Sequence, residues 1–365
     1  MNTKQSRNFD SSILLLSSSL RPGGESKFIR EFTELHPKFF FEIISPDFIS
    51  DNDFKKLSRN TNLIQCGGNY LRYSWNILIS ILFKNYGLII ISGRKAGLIG
   101  HFLGNIFSLP ILYVPHGNHY LDSNKFFDKF YRHYDRFFLK KAFVYLISFA
   151  EKIRYEKHGI VLKKFSIIRN PILINKNNVN FSEQYPYDVY LFWIGRFDPH
   201  KNLKGAIEYV IRYSSENKKN SVKMDVYSTS PKDLNELNYF DECMLLKNEC
   251  WELFLDNEIN YHKFKQKYSA LLFSSKGEGF SYVIAESMII NIPIIAFNSH
   301  GVSEVIGKKR GKLISSYKEF VKAIEFLPKD HAKIIENQKR FSKKFLSIDF
   351  IRSEQEKVLR NCMKR

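Results

Sequence analysis

Ser274-Ser275-Lys276-Gly277-Glu278-Gly279-Phe280-Ser281-Tyr282-Val283-Ile284-Ala285-Glu286 decides how the chain is read. Ahead of it, Ala270-Leu271-Leu272-Phe273 is an apolar run with the length of a buried parallel strand. Behind it, a helical pattern runs to about Asn291, then Pro293, and Ile294-Ile295-Ala296-Phe297 reads as a second strand. The spacing predicts a strand–loop–helix–strand unit with Gly277 and Gly279 in the loop. Glycines let a backbone come close to a ligand. A helix N-terminus offers unpaired N–H groups and a positive dipole end, which attract phosphate. Glu278 and Glu286 lie eight residues apart, so both can face the carboxyl ends of the strands, where open α/β sheets bind ligands. Carboxylates there accept hydrogen bonds from sugar hydroxyls. The same letters also describe a plain helix with one glutamate at its positive end and one in solvent.

Two glutamates with seven residues between them, and Gly279-Phe280 after the first, resemble the signature of retaining glycosyltransferase family 4. Upstream, Trp193-Ile194-Gly195-Arg196-Phe197-Asp198-Pro199-His200-Lys201-Asn202 resembles that family's Gly-Arg…Lys-Asn stretch, in the expected order. The resemblance implies an α/β chain of the GT-B fold, two Rossmann-like doubly wound domains facing across a cleft. It implies a first domain over 1–172 that binds acceptor, a linker over 173–187, and a nucleotide-sugar domain over 188–345. Residues 346–365 are then a C-terminal helix that packs back on the first domain.

The bulk properties agree with two domains. At 365 residues the chain is too long for one simple core, and 44% hydrophobic residues suffice for packed interiors. Cys66, Cys243, Cys250 and Cys362 fall in no metal-ligand spacing and read as reduced cytosolic thiols. Lys4 and Arg7 before Ile13-Leu14-Leu15-Leu16 suggest a signal peptide, but Asp10, the short apolar core and Arg21-Pro22 argue against one. No run reaches the roughly 18 apolar residues of a spanning helix. The net charge is +19, of which +13 falls before residue 181. That asymmetry favours an anionic partner for the first half: a membrane surface, a phosphorylated lipid carrier or nucleic acid.

In the first half, Ser12 to Ser18 reads as a strand, and Gly23-Gly24 opens a helix. By resemblance, Gly23 and Gly24 reach the donor diphosphate; as local pattern they are a tight turn. Strands follow at Phe39–Ile44 and Gly87–Ile91, and helices over Tyr70–Phe83 and from Gly93 to Leu109. Asp51-Asn52-Asp53 lies in a polar loop and reads as a loop or helix cap rather than a metal motif. Ile111-Leu112-Tyr113-Val114-Pro115-His116-Gly117 ends a strand in a histidine. The resemblance places such a histidine near the transferred sugar; a lone loop histidine can also be structural. Residues 123–142 mix Phe126, Phe127, Phe130 and Phe137 with Lys129, Arg136, Lys140 and Lys141 at helical spacing. They read either as an interfacial helix pairing cations with lipid phosphates or as a core helix with one solvated face.

In the second half, a strand over Asp188–Gly195 leads to Arg196 and Lys201, which can clamp a diphosphate. A helix follows from Asn202 to about Asn217, then a strand at Val222–Tyr227. Ser228-Thr229-Ser230-Pro231 stands where the family carries glycine, and His300 replaces another glycine. A helix is expected at Tyr261–Tyr268, and the tail from Asn337 to Arg365 reads as helical and basic.

The function implied is a retaining glycosyltransferase, of hexosyltransferase type, moving a sugar from a UDP-linked donor to a saccharide acceptor. The acceptor would ride an anionic lipid carrier in bacterial lipopolysaccharide, O-antigen or capsule synthesis. The enzyme is expected in the cytoplasm, held peripherally at the inner face of the membrane by its basic first half, without nucleic acid. Catalytic candidates are Glu278, His116, Arg196 and Lys201. Donor-binding candidates are Gly23, Gly24, Gly195, Arg196, Lys201, Gly279, Phe280, Ser281 and Glu286. No cofactor and no metal are expected, since the two cations do a metal's electrostatic work. Rival readings are a GT-B sugar-nucleotide epimerase and a non-catalytic membrane- or polyanion-binding protein on the same scaffold.

Overall fold

Short strands of β-branched and aromatic residues alternate with helices along the chain, the order that builds parallel sheets covered on both faces. In a computed structural model, residues 11–20, 23–47, 57–116, 121, 126–173, 189–217, 222–256, 264 and 267–364 are described. They form two compact units, Met1–Pro171 with Ile348–Arg365, and Ile172–Ser347.

The first unit contains β1 (Ser11–Ser17), α1 (Gly24–Leu35), β2 (Phe39–Ser45), β3 (Thr61–Gln65), α2 (Tyr70–Phe83), β4 (Leu88–Ser92) and α3 (Arg94–Ile106). It continues with β5 (Ile111–Val114), α4 (Phe126–Phe138), β6 (Phe143–Leu146), α5 (Phe149–Lys157) and β7 (Phe165–Ile167). The strands lie in the order β3-β2-β1-β4-β5-β6-β7 and pair in parallel. The winding reverses beside β1, so the β1 and β4 carboxyl ends flank the crevice where such sheets bind ligands. Register sets Ser17 beside Ser92 there. Helix α3 lies unusually close to the sheet. A Cβ on Gly100 would come within 2.8 Å of Ile91 and 2.9 Å of Leu16, so glycine is what permits the contact.

The second unit contains β8 (Val189–Ile194), α6 (Leu203–Glu216), β9 (Val222–Ser228), α7 (Leu234–Met244), β10 (Trp251–Leu255) and β11 (Ala270–Phe273). It ends with α8 (Tyr282–Ile289), β12 (Ile294–Phe297), α9 (Val302–Ile306), β13 (Lys312–Ile314) and α10 (Tyr317–Phe345). The strand order β10-β9-β8-β11-β12-β13 repeats the first plan, with its reversal beside β8. The last helix, α11 (Ile348–Met363), belongs to the first unit. It buries Ile351, Val358, Leu359 and Cys362, and Gln355 joins His36 at 2.9 Å and the Tyr145 hydroxyl at 2.9 Å.

Some boundaries move. Helix α8 stops at Ile289 because Asn291 turns into the left-handed region at φ 60°. The helix expected from Asn337 begins twenty residues earlier, at Tyr317, and runs through Pro328. Strand β3 and helix α7 carry weak apolar patterns and only the structure reveals them. Asp51-Asn52-Asp53 and the start of the helix expected at Tyr261 lie outside the described residues.

Candidate active site

In the second unit the site forms where β8 and β11 end side by side. Trp193 Nε1 donates to Ser274 Oγ at 2.9 Å, and Ser274 Oγ donates to the Lys201 carbonyl at 2.8 Å. These bonds fasten the loop after β8 to the loop after β11. Lys276 N donates to the His200 carbonyl at 2.9 Å, and the His200 ring closes on the Gly277 carbonyl at 2.7 Å. The pairing of loops brings Lys201 Nζ to Glu278 Oε1 at 2.5 Å, with Ser275 Oγ on the same oxygen at 2.8 Å. Lys201 and Glu278, distant in sequence, are thus one ion pair whose side chains keep 27% and 17% exposure. They remain open to a ligand while being held in place.

Glu278 is fixed from below as well. Its N–H donates to the His300 carbonyl at 2.9 Å, and its own carbonyl packs on Gly301. A Cβ on Gly301 would sit 1.7 Å from that carbonyl oxygen, and its φ of +80° also calls for glycine. Helix α8 then starts, its end capped by Ser281, which accepts from Ile284 N. Gly279 leads into the capped turn and Phe280 is buried beneath it. Glu286 is one turn on and 2% exposed. Gly195 directly follows β8; a side chain there would strike the Trp193 ring at 2.5 Å.

Arg196 does not join Lys201 on Glu278. Its guanidinium is half exposed and reaches Glu236 at 3.4 Å and Asp198 at 3.9 Å. The two cations expected to act as one clamp therefore start from separate carboxylate partners.

The first unit has its own polar cluster at its switch point. His116, two residues past the end of β5, has φ +52°, an uncommon conformation for a residue with a side chain. Its Nε2 lies 2.9 Å from Ser92 Oγ, and the Phe28 ring packs edge-on at 4.8 Å. Ser92 Oγ donates to Glu25 Oε1 at 3.1 Å. With that hydrogen given to Glu25, Ser92 accepts from His116, so Nε2 carries the ring hydrogen and Nδ1 presents a lone pair. Glu25 also receives Ser17 Oγ at 3.0 Å and Ser18 N at 2.8 Å. Burial pushes the Glu25 carboxyl up to about 7, with these donors pulling it back, and burial lowers His116 to about 3. The imidazole is neutral at physiological pH and can accept a hydrogen bond from a sugar hydroxyl. Gly23 and Gly24 form the exposed turn at the start of α1, next to Glu25.

Residues 175–345 match the family model for glycosyl transferases group 1. The second unit is a glycosyltransferase domain. No curated protein matches the chain. Among solved structures, Anabaena HepE, crystallised in complex with UDP and glucose, superposes with TM-score 0.76 at 15% identity, covering 96% of this chain and all of HepE. It was also crystallised with UDP-glucose. A glycosyltransferase from Rickettsia africae gives TM-score 0.77 at 15% identity, covering 97% and 99% of the two chains. The lipopolysaccharide outer core galactosyltransferase WaaB gives 0.66 at 17%, covering 96% and 99%. The fold is that of GT-B glycosyltransferases.

Glu278, Lys201, Gly279, Phe280, Ser281 and Glu286 fall around one loop–helix junction; Arg196 stands beside it with Glu236; His116, Gly23 and Gly24 lie in the other unit. Sequence reading missed Glu25, Ser92, Ser275, His200 and Gly301. Only Glu25 carried a local signal, as the acidic residue in a glycine-opened first helical turn.

Proposed function

We propose that this glycosyltransferase takes its sugar from a UDP-linked donor bound by the second unit and retains the anomeric configuration. The observation that carries the reading is the Lys201–Glu278 pair seated ahead of the capped α8 N-terminus. A pyrophosphate suits the cation and the helix end. The carboxylates suit sugar: Glu278 orients the transferred sugar and Glu286 accepts from ribose hydroxyls. The diphosphate oxygens would join Glu278 and Glu236 as acceptors for Lys201 and Arg196. HepE, of the same fold, holds UDP-glucose, which supports the choice of nucleotide.

In the reaction an acceptor hydroxyl oxygen bonds to the anomeric carbon on the face the diphosphate leaves. The anomeric C–O bond breaks, its electron pair stays on the UDP oxygen, and the hydroxyl proton passes to that phosphate. Lys201 and Arg196 offset the charge that develops, and no metal is assigned to this task. In the first unit by itself, His116 is a neutral acceptor suited to a sugar hydroxyl. The basic first half supports an acceptor on an anionic lipid carrier at the inner membrane face, in the synthesis of a bacterial surface polysaccharide such as lipopolysaccharide, O-antigen or capsule.

A thermal-shift screen against UDP, GDP, ADP and their sugars tests the assignment. UDP and UDP-sugars should raise Tm, and Glu286→Ala and Arg196→Ala should remove the shift. Equal shifts in wild type and both variants would refute the site. UDP-sugar turnover without acceptor would mean an epimerase, and binding of polyanions without nucleotide a non-catalytic scaffold.

A further inference from the structure

Helices α2, α3 and α4 cover one face of the first unit's sheet. Their inner sides meet the same core: Tyr73 and Ile77 from α2, Ala96 from α3, and Tyr131 from α4. Helix α3 sits between the others. Lys95 of α3 reaches the Tyr70 hydroxyl at 3.4 Å, and Tyr134 of α4 donates to the Leu98 carbonyl at 2.5 Å.

The outer side of this layer is apolar where solvent would favour polar groups. Among the described residues 21 large hydrophobics are exposed; five stand on α2, two on α3 and four on α4. On α2, Leu71, Trp75 and Leu82 form one stripe opposite buried Tyr73 and Ile77, with Leu71 at 83% exposure. Phe102 and Ile106 continue it on α3, and Phe126, Phe130 and Phe137 form the ridge of α4. Scattered exposed hydrophobics are ordinary, but three aligned stripes on adjacent helices are a docking surface.

The charges select the partner. Helices α2 and α3 contain no Asp or Glu. On α4, Asp128 is held by Arg94 at 2.6 Å and Asp135 is buried. Arg72, Lys129, Lys140 and Lys141 stand exposed around the rings. A second copy applied to this face would bring cations against cations with no acid to answer them. A sheet of phosphate headgroups over acyl chains answers both features: phosphates for the rim, hydrocarbon for the rings. No helix of the described residues is long and apolar enough to cross a membrane, so the contact lies along the surface.

We propose that the outer face of α2, α3 and α4 docks the first unit on an anionic phospholipid bilayer. This deepens the reading of a lipid-linked acceptor, and rests on it for biological meaning, but the docking itself stands on the first unit alone.

The chain carries its own reporter. Of its three tryptophans, Trp193 and Trp251 are buried at 2% and 6% exposure, while Trp75 lies in the proposed contact at 62%. Vesicles of phosphatidylcholine with phosphatidylglycerol should shift the emission to the blue, and brominated acyl chains should quench it. Phosphatidylcholine alone should give a much weaker response. Trp75→Phe should lose the spectral change yet still float with anionic vesicles. The combined Phe126→Ser, Phe130→Ser, Phe137→Ser variant, and separately Lys129→Ser, Lys140→Ser, Lys141→Ser, should each weaken flotation by about tenfold or more. Circular dichroism and the UDP thermal shift serve as controls for folding. No Trp75 response to anionic vesicles, or flotation unchanged in both triple variants, would overturn the proposal. So would a wild-type dimer that ignores vesicles and dissociates on the ring substitutions. Loss of the UDP shift with docking intact would count against the donor reading and leave this one standing.

Discussion

At the scale of single residues, two groups set the site's chemistry by contact rather than by type. Lys201 and Glu278 hold each other at 2.5 Å, so removing either frees the other. Lys201→Ala should lower kcat/KM by about a hundredfold or more, with the larger part in kcat, if its charge serves the departing diphosphate. Steady-state kinetics with a UDP-sugar and a released-UDP assay would read this. Gly301→Ala places a methyl group on the Glu278 carbonyl in a conformation that alanine resists. It should cost about 2 kcal/mol or more and should damage activity through Glu278, both visible in one purified sample. Glu25 and His116 respond to pH in opposite senses. Glu25 keeps its proton in the fold up to about 7, while the unfolded chain gives it up first. Stability from this group is therefore greatest below the ordinary carboxyl range and falls as pH rises toward 7. Glu25→Gln should flatten that slope and raise Tm above pH 7 relative to wild type.

At the scale of elements, the packing of α3 against α4 contains an unsatisfied imidazole. His101 is 1% exposed, stacks on Phe138 at 5.9 Å, and neither ring nitrogen has a hydrogen-bond partner. Burial alone lowers it to about 3. The neutral ring is fully compatible with the fold above the ordinary histidine range, and stability is lost as pH falls below about 6.5. His101→Leu should remove that acid sensitivity and leave stability at pH 7 equal or better by about 1 kcal/mol, measurable by urea melts at several pH values. The helices themselves were legible from spacing: α2 runs from Tyr70 to Phe83 as its apolar periodicity predicts. Strand β3 and helix α7 were not, because Asn62, Gln65, Asn235 and Glu236 blur the period and tertiary contacts decide.

At the scale of the whole molecule, α11 returns the end of the chain to its beginning. Gln355 bonds His36 and Tyr145 at once, 319 residues from one and 210 from the other. Gln355→Leu would leave both buried groups without that partner and should destabilise the first unit by about 2–3 kcal/mol. A melt that resolves two transitions should show the lower stability in one of them, with UDP stabilisation of the other preserved.

The amino-acid order by itself determined the alternation of strand and helix and the loop carrying Glu278, because apolar period and glycine placement are local properties; the two-sheet plan was expected from chain length and the family resemblance. The order also marked Lys201, which follows the carboxyl end of a strand, while His116 was marked by the resemblance to the family's strand-end histidine. Which groups touch was decided only by tertiary structure. Lys201 meets Glu278 across 77 residues because the pairing of β8 with β11 sets loop against loop, and Arg196 goes to Glu236 because β9, which leads into α7, pairs with the other side of β8. Ser92 reaches Glu25 and His116 only because β4 lies between β1 and β5. Such contacts depend on strand order and register, which no stretch of sequence contains.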